Sequence, residues 1–223
     1  MGLPARDRTL HNLLAATPPL TTGLPVMSAL LSAELAWYAT GRFYEANDGT
    51  LADYGYFLHL PFLDAQMFDG EPGETTAHFT FAAKPFKAQA AANGVLSLGL
   101  DPVGEFSLYL QRKPVGTFDD PASFAKGECI ATFRRISLVV GTTVSDTIAG
   151  TTAVLFGTNV FSARLIASAP FDFGGRRHDF VHYLGAGITQ FGTSAATQIE
   201  PTPAGYKRVL PFTGSAIALG RAG

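Results

Sequence analysis

With one cysteine in 223 residues, the chain can form no internal disulfide and no thiolate cage for a metal. That residue, Cys129, stands beside Ile130 and Ala131 and reads as a small buried hydrophobe. A lone cysteine fits a reducing compartment, so a cytoplasmic location is expected. An export signal is the weaker reading of an N-terminus in which Arg6 and Arg8 precede an apolar region broken by Pro18, Pro19 and Pro25. Charge is also scarce, with charged residues at 15% and a net charge of -2. The basic doublets Arg134-Arg135 and Arg176-Arg177 are isolated, so nothing attracts a phosphate backbone, and nucleic acid is not an expected partner. No run approaches the ~18 uninterrupted apolar residues of a membrane helix, and no membrane span is expected. The chain has no G-x-S-x-G elbow, no P-loop and no G-x-G-x-x-G between a strand and a helix, which removes support for covalent hydrolysis, nucleotide transfer and dinucleotide redox chemistry. No cofactor is expected.

What the chain has is apolar and aromatic material cut into short lengths. Hydrophobic residues make up 47%, with 18 Phe and 7 Tyr against 24 Gly and 14 Pro, the profile of many strands separated by many turns. The organising stretch is 104–140. Two alternating runs, Glu105 to Arg112 and Gly127 to Val140, flank a Pro-, Gly- and Asp-rich connector, the pattern of two antiparallel strands joined by a long loop. Upstream, Met27, Leu30, Leu31 and Leu35 recur at helical spacing and predict a helix over 26–36, unless that segment runs straight into a strand. Asn47-Asp48-Gly49 is a hairpin turn, answered by the aromatic run from Tyr54 to Leu63. Further strands are expected at 77–86, 95–100, 151–157, 159–168, 176–183, 188–191 and 209–219. The fold class is therefore all-β: a single antiparallel β-barrel of about eight to ten strands over 26–223, with an irregular or partly helical N-terminal arm over 1–25. Several strands are apolar on both faces. A barrel fills its lumen with one, and the other needs cover from loops or from another subunit, so a homo-oligomer is the economical expectation.

Few residues stand out for chemistry. His178 and His182 lie four apart, but the helical zinc pattern needs His-Glu-x-x-His and Asp179 follows His178 here; a solvated strand is the better reading, and no metal site is expected. Glu128, Thr132 and Arg134 alternate with Ile130 and Ile136. Ionic groups in an apolar strand are costly to bury unless paired, so they form cross-strand ion pairs or face a ligand. Glu128 and Arg134 share a face but lie about 20 Å apart along a strand rising ~3.3 Å per residue, so each needs its own partner. On the lumenal alternative, Arg134 orients the polar end of a substrate. His78, Tyr109, Glu128 and Arg134 are the candidate catalytic residues. Tyr56, Phe79, Phe81, Phe106, Phe133 and Phe161 are the candidate lining of a site for a hydrophobic small molecule.

GECIATFRRISLVVGT, followed by FSARLIAS, resembles the late strands of the allene oxide cyclase-like barrels, which are related in fold to dirigent proteins. The resemblance is one of strand layout. It implies an eight-stranded antiparallel barrel, often trimeric, whose hydrophobic lumen steers cyclisation of a lipid- or polyketide-like substrate without cofactor. Two functions are expected on these grounds: a cofactor-independent cyclase or isomerase, or a non-catalytic carrier of a hydrophobic ligand. A third reading is a structural β domain with a packed lumen.

Overall fold

The computed structural model describes residues 28–83, 87, 89–93, 96–101, 104–137, 139–148 and 151–220. The expected N-terminal arm lies outside them. Of the segment read as a helix, residues 28–34 carry none, and β1 (Leu35–Ala46) begins directly after a turn. Backbone groups here bond to distant chain: Leu30 N–H donates to Tyr183 O at 2.9 Å and Ala33 N–H to Ala218 O at 2.9 Å. Leu30 packs against the core while Leu31 is 70% exposed, so the apolar spacing does not define one buried face.

β1 turns through Asn47-Asp48-Gly49 into β2 (Leu51–His59). Gly49 takes φ +80° and the Asp48 carboxylate accepts from Thr50 N–H at 2.9 Å, as the turn chemistry predicts. There follow β3 (Phe79–Ala83), β4 (Gln89–Asn93), β5 (Leu96–Asp101), β6 (Glu105–Leu110), a 3-10 turn at Pro121–Ala125, and β7 (Glu128–Arg135). The expected single strand over 127–140 is broken after Arg135, and β8 (Val139–Ile148) begins beyond the break. Conversely, the two strands expected over 151–168 are one, β9 (Thr151–Ser168). A small hairpin, β10 (Phe171–Phe173) and β11 (Arg176–His178), leads to the five-residue helix α1 (Phe180–Leu184), and β12 (Gly187–Ala195) and β13 (Tyr206–Ala218) complete the series.

Eight strands close an antiparallel barrel in the circuit β9, β12, β13, β1, β2, β3, β6, β7 and back to β9. β9 is long enough to belong to two structures. Its C-terminal part pairs with β7, while Thr151 to Val160 pairs with β8, which pairs with β5, which pairs with β4. The sheet therefore continues past the barrel wall as a paired arm.

Alternation sorts the wall. Trp37, Phe57, Phe81, Phe106 and Phe133 face inward and pack ring to ring: Trp37 lies 5.4 Å from Phe57 and 5.7 Å from Phe133, and Phe106 stacks on Phe133 at 5.0 Å. Gly41 and Gly55 face each other across β1 and β2, and a Cβ at Gly55 would fall 2.7 Å from the Phe81 ring, so the missing side chains give that ring its space. One end of the lumen is sealed by α1 and the segment after β2, with Phe62 stacked on Tyr183 at 4.3 Å and Phe180 fully buried. Outside the wall, the loop between β6 and β7 covers β3. The Thr80 hydroxyl donates to Phe124 O at 2.6 Å and the Gln111 amide donates to Ser123 O at 3.0 Å, so both polar groups are satisfied under it.

Candidate functional site

The inward-facing residues grade from sealed to open along the barrel. Ala218, Ile188, Ala163 and Leu110 are fully buried at the α1 end, whereas Phe43, Asp53, Phe161 and Phe212, at the other end, are partly exposed. That open end is the candidate site. Two polar features are set among its rings. The Trp37 indole N–H donates to Gln190 Oε1 at 2.9 Å, and the Gln190 amide donates onward to Phe191 O at 3.0 Å, so the indole is satisfied by a side chain on the inner wall.

The second feature is Arg135. It is the last residue of β7, it is 3% exposed, and its guanidinium lies 4.9 Å from the centre of the Phe161 ring and 3.7 Å from the Asp53 carboxylate. Its backbone N–H donates to Gly104 O at 2.9 Å, and a Cβ at Gly104 would fall 2.7 Å from Nη1, so glycine at that position admits the guanidinium. A cation taken out of water costs several kcal/mol unless charge and polar groups meet it. Asp53 and the Phe161 face supply part of that here. At the outer rim, Glu45 holds Lys207 at 2.9 Å and Arg208 at 2.7 Å. The arrangement offers apolar walls beside one cation and one carboxylate.

The residues picked out from sequence fall into two groups. Phe79, Phe81, Phe106, Phe133 and Phe161 do face the lumen, Phe79 packing deep against Phe173 at 4.8 Å and Phe161 against Phe106 at 6.0 Å. Tyr56 does not: it lies on the outer face between Phe68 and Phe118, where burial raises its phenol above the usual value. The four candidate catalytic residues also lie outside the lumen and are not brought together. His78 Nδ1 is 2.9 Å from Gln111 O, and Tyr109 is on the outer face of β6. Glu128 accepts two hydrogen bonds from Arg112, at 3.0 and 3.1 Å, which hold its carboxyl below the usual range. Arg134 points to solvent with its side chain 54% exposed and pairs with Glu105 at 2.8 Å. Cross-strand ion pairs thus account for both residues, and the lumenal cation is its neighbour Arg135. The signal was in the doublet: Arg135 is two residues from Phe133 on an alternating strand and shares its face. Asp53 likewise shares the face of Gly55 and Phe57.

Two further expectations are corrected. Cys129 is exposed, because the pairing of β6 with β7 slips between Leu108 and Tyr109, leaving Ile130 in the bulge and turning both Ile130 and Ala131 inward. His178 is buried, not solvated. Nδ1 lies 2.9 Å from the Tyr183 hydroxyl and Nε2 3.1 Å from Phe173 O, and burial lowers its pKa below 6.5. His182 is on α1, exposed to solvent, so the two histidines do not converge. Among the described residues no three His, Cys, Asp or Glu side chains cluster to hold a metal, and no helix is long and apolar enough to cross a membrane. Comparison with protein-family models, curated proteins and solved structures gives no match for this chain.

Proposed function

We propose that the open end of the barrel binds a small hydrophobic molecule carrying an anionic or strongly polar end, as a cytoplasmic carrier or binding protein. The observation that carries this reading is Arg135: a cation 3% exposed, on the inner wall, with the partly exposed rings of Phe161 and Phe212 on the same wall. A lumen that served packing alone would be filled more cheaply by a methionine at this position, since buried ion pairs are often no more stable than apolar residues of similar volume. The apolar part of the ligand lies along the two phenylalanine rings and its polar end meets the guanidinium.

A cofactor-independent cyclase or isomerase is the second reading, favoured by one observation. Asp53 sets a carboxylate 3.7 Å from that guanidinium, so a proton acceptor and an anion-stabilising cation stand side by side on the inner wall. The closed eight-stranded barrel is also the architecture that the allene oxide cyclase-like resemblance implies.

The only tryptophan, Trp37, sits in the lumen 2% exposed and reports on it directly. Titration of the purified protein with a series of fatty acids and the matching alcohols, read by Trp37 fluorescence, should show saturable binding that favours the acids. Arg135→Met keeps much of the apolar stem and should remove that preference by about tenfold or more, a loss of ~1.4 kcal/mol. A parent protein that binds neither series, and carries no copurified small molecule by native mass spectrometry, sinks the proposal. Conversion of a bound ligand, lost in Asp53→Asn while binding persists, would favour the enzyme.

A further inference from the structure

We infer that the ligand of the lumenal site is a compact acid, with an apolar part of about eight buried carbons, rather than a long-chain lipid. This rests on the reading of the open end as a binding site and adds a size limit set by the barrel itself. The limit is a floor of rings. Phe106 stacks on Phe133, Phe133 meets Trp37 at 5.7 Å, Trp37 meets Phe57 at 5.4 Å, and Phe57 meets Phe81 at 5.5 Å. None of the five is more than 8% exposed. The contact between Phe133 and Trp37 carries the argument. β7 and β1 stand four steps apart in either direction round the eight-stranded circuit, so they are opposite walls, and rings that touch from opposite walls close the lumen between them. The remaining strands, β9, β12 and β13, fill behind the rings with Ala163, Ile188 and Ala216, all fully buried. Large side chains on one half of the wall thus meet small ones on the other, which is how a narrow barrel is packed shut.

Arg135 is the next inward position above that floor on β7, two residues beyond Phe133. A polar group that meets its guanidinium has the floor close beneath it, and the apolar part can run only across the lumen or towards the mouth. The glycines of the inner wall do not open side pockets there. A Cβ at Gly192 would fall 2.8 Å from the Asn159 amide, and one at Gly41 would fall 3.0 Å from the rings of both Phe81 and Phe212, so that space is already taken. Depth follows from β2, where Phe57, Gly55, Asp53 and Leu51 alternate onto the inner face. About six residues at ~3.3 Å each, on strands tilted by about 40°, rise roughly 15 Å, and one carbon contact distance of ~4 Å above the rings leaves about 10 Å. An extended chain with C–C bonds of ~1.5 Å covers that in about eight carbons. The rim beyond is ionic, with Glu45 between Lys207 and Arg208, so further methylenes meet charge and water and gain no burial.

The test is the chain-length dependence of binding to the full chain. Straight-chain monocarboxylates of about 4 to 14 carbons, each below its micelle concentration, are titrated and read by Trp37 fluorescence and by isothermal titration calorimetry. Affinity should rise about fourfold per methylene up to about eight carbons, the increment that burial of a CH₂ gives, and then stay level. Phe106→Ala takes one ring out of the floor and should move the break to longer chains by about two carbons; the parent series decides alone if that variant does not fold. An affinity that climbs without a break to the longest acid, or that does not rise with the first methylenes, overturns the inference and leaves the binding site in place. A folded Phe106→Ala protein that keeps the parent's break also overturns it, because the floor then does not set the limit. If no acid gives a saturable signal, the binding site itself falls, and the size limit with it.

Discussion

His178 is 4% exposed, and both ring nitrogens face protein: the Tyr183 hydroxyl on one side and a backbone carbonyl on the other. Charging the ring there costs its hydration, so the folded chain holds it neutral below the ordinary value of 6.5. Between that lowered value and 6.5 the unfolded chain binds a proton that the native chain does not. The His178 contribution to stability is therefore flat above about pH 6.5 and falls as the pH drops below it, until the folded value is reached. Thermal unfolding followed from pH 7.5 to 5 should show this fall in the parent and a shallower one in His178→Gln, which keeps a side-chain amide for the Tyr183 hydroxyl. Parallel profiles would assign the slope to another group. The same scale explains which side chains sequence could place. Phe133 and its inward partners follow from alternation. Arg134 reads either as a cross-strand ion-pair partner or as a lumenal cation, whereas Arg135 is the one that shares the Phe133 face, and Cys129 reads as buried because a bulge at Ile130, which shifts the phase by one, leaves no mark in an alternating pattern.

A strand can be recognised from its own residues, but its extent is decided by its neighbours. The turn at Asn47-Asp48-Gly49 and the β1–β2 hairpin are local and were legible. The break after Arg135 and the fusion of two expected strands into β9 were not, because β9 is held straight by β12 on one edge while β7 and β8 share the other. The helix expected before β1 failed likewise, to backbone bonds with α1 and β13. Glycine in the barrel wall has a similar element-level cause. A Cβ at Gly55 would lie 2.2 Å from Thr40 O and 2.6 Å from the Gly41 Cα, both backbone, so β1 and β2 would have to separate locally. Gly55→Ala should lower stability by about 1–3 kcal/mol or more, whereas Thr213→Ala, exposed on the outer wall, should change it by less than ~0.5 kcal/mol. Urea midpoints for the two variants decide this, and equal midpoints would mean that the wall has slack at Gly55.

At the scale of the molecule, the all-β class, the inward aromatic face and the barrel itself could be read from composition, period and strands apolar on both faces, but the seams that close it could not. The seams β1–β13 and β9–β12 join strands distant in sequence or order, and only tertiary register specifies them. Closure has a consequence for how the chain opens. An open sheet frays from its edges, whereas in this barrel residues 157–160 of β9 are bonded to β8 on one side and β12 on the other, and Ala163 and Arg164 to β7 and β12. Exposing those amides requires both ladders to part, which in a closed barrel approaches global unfolding. The hairpin of β10 and β11 is a separate two-stranded sheet with three paired positions, held by one ladder. Native-state amide exchange should therefore be slowest over residues 157–164, with opening free energies near the global value. It should be faster in β10 and β11. If 157–164 exchanges as fast as that hairpin, β9 is not the strand on which closure depends, and the barrel opens along a different seam.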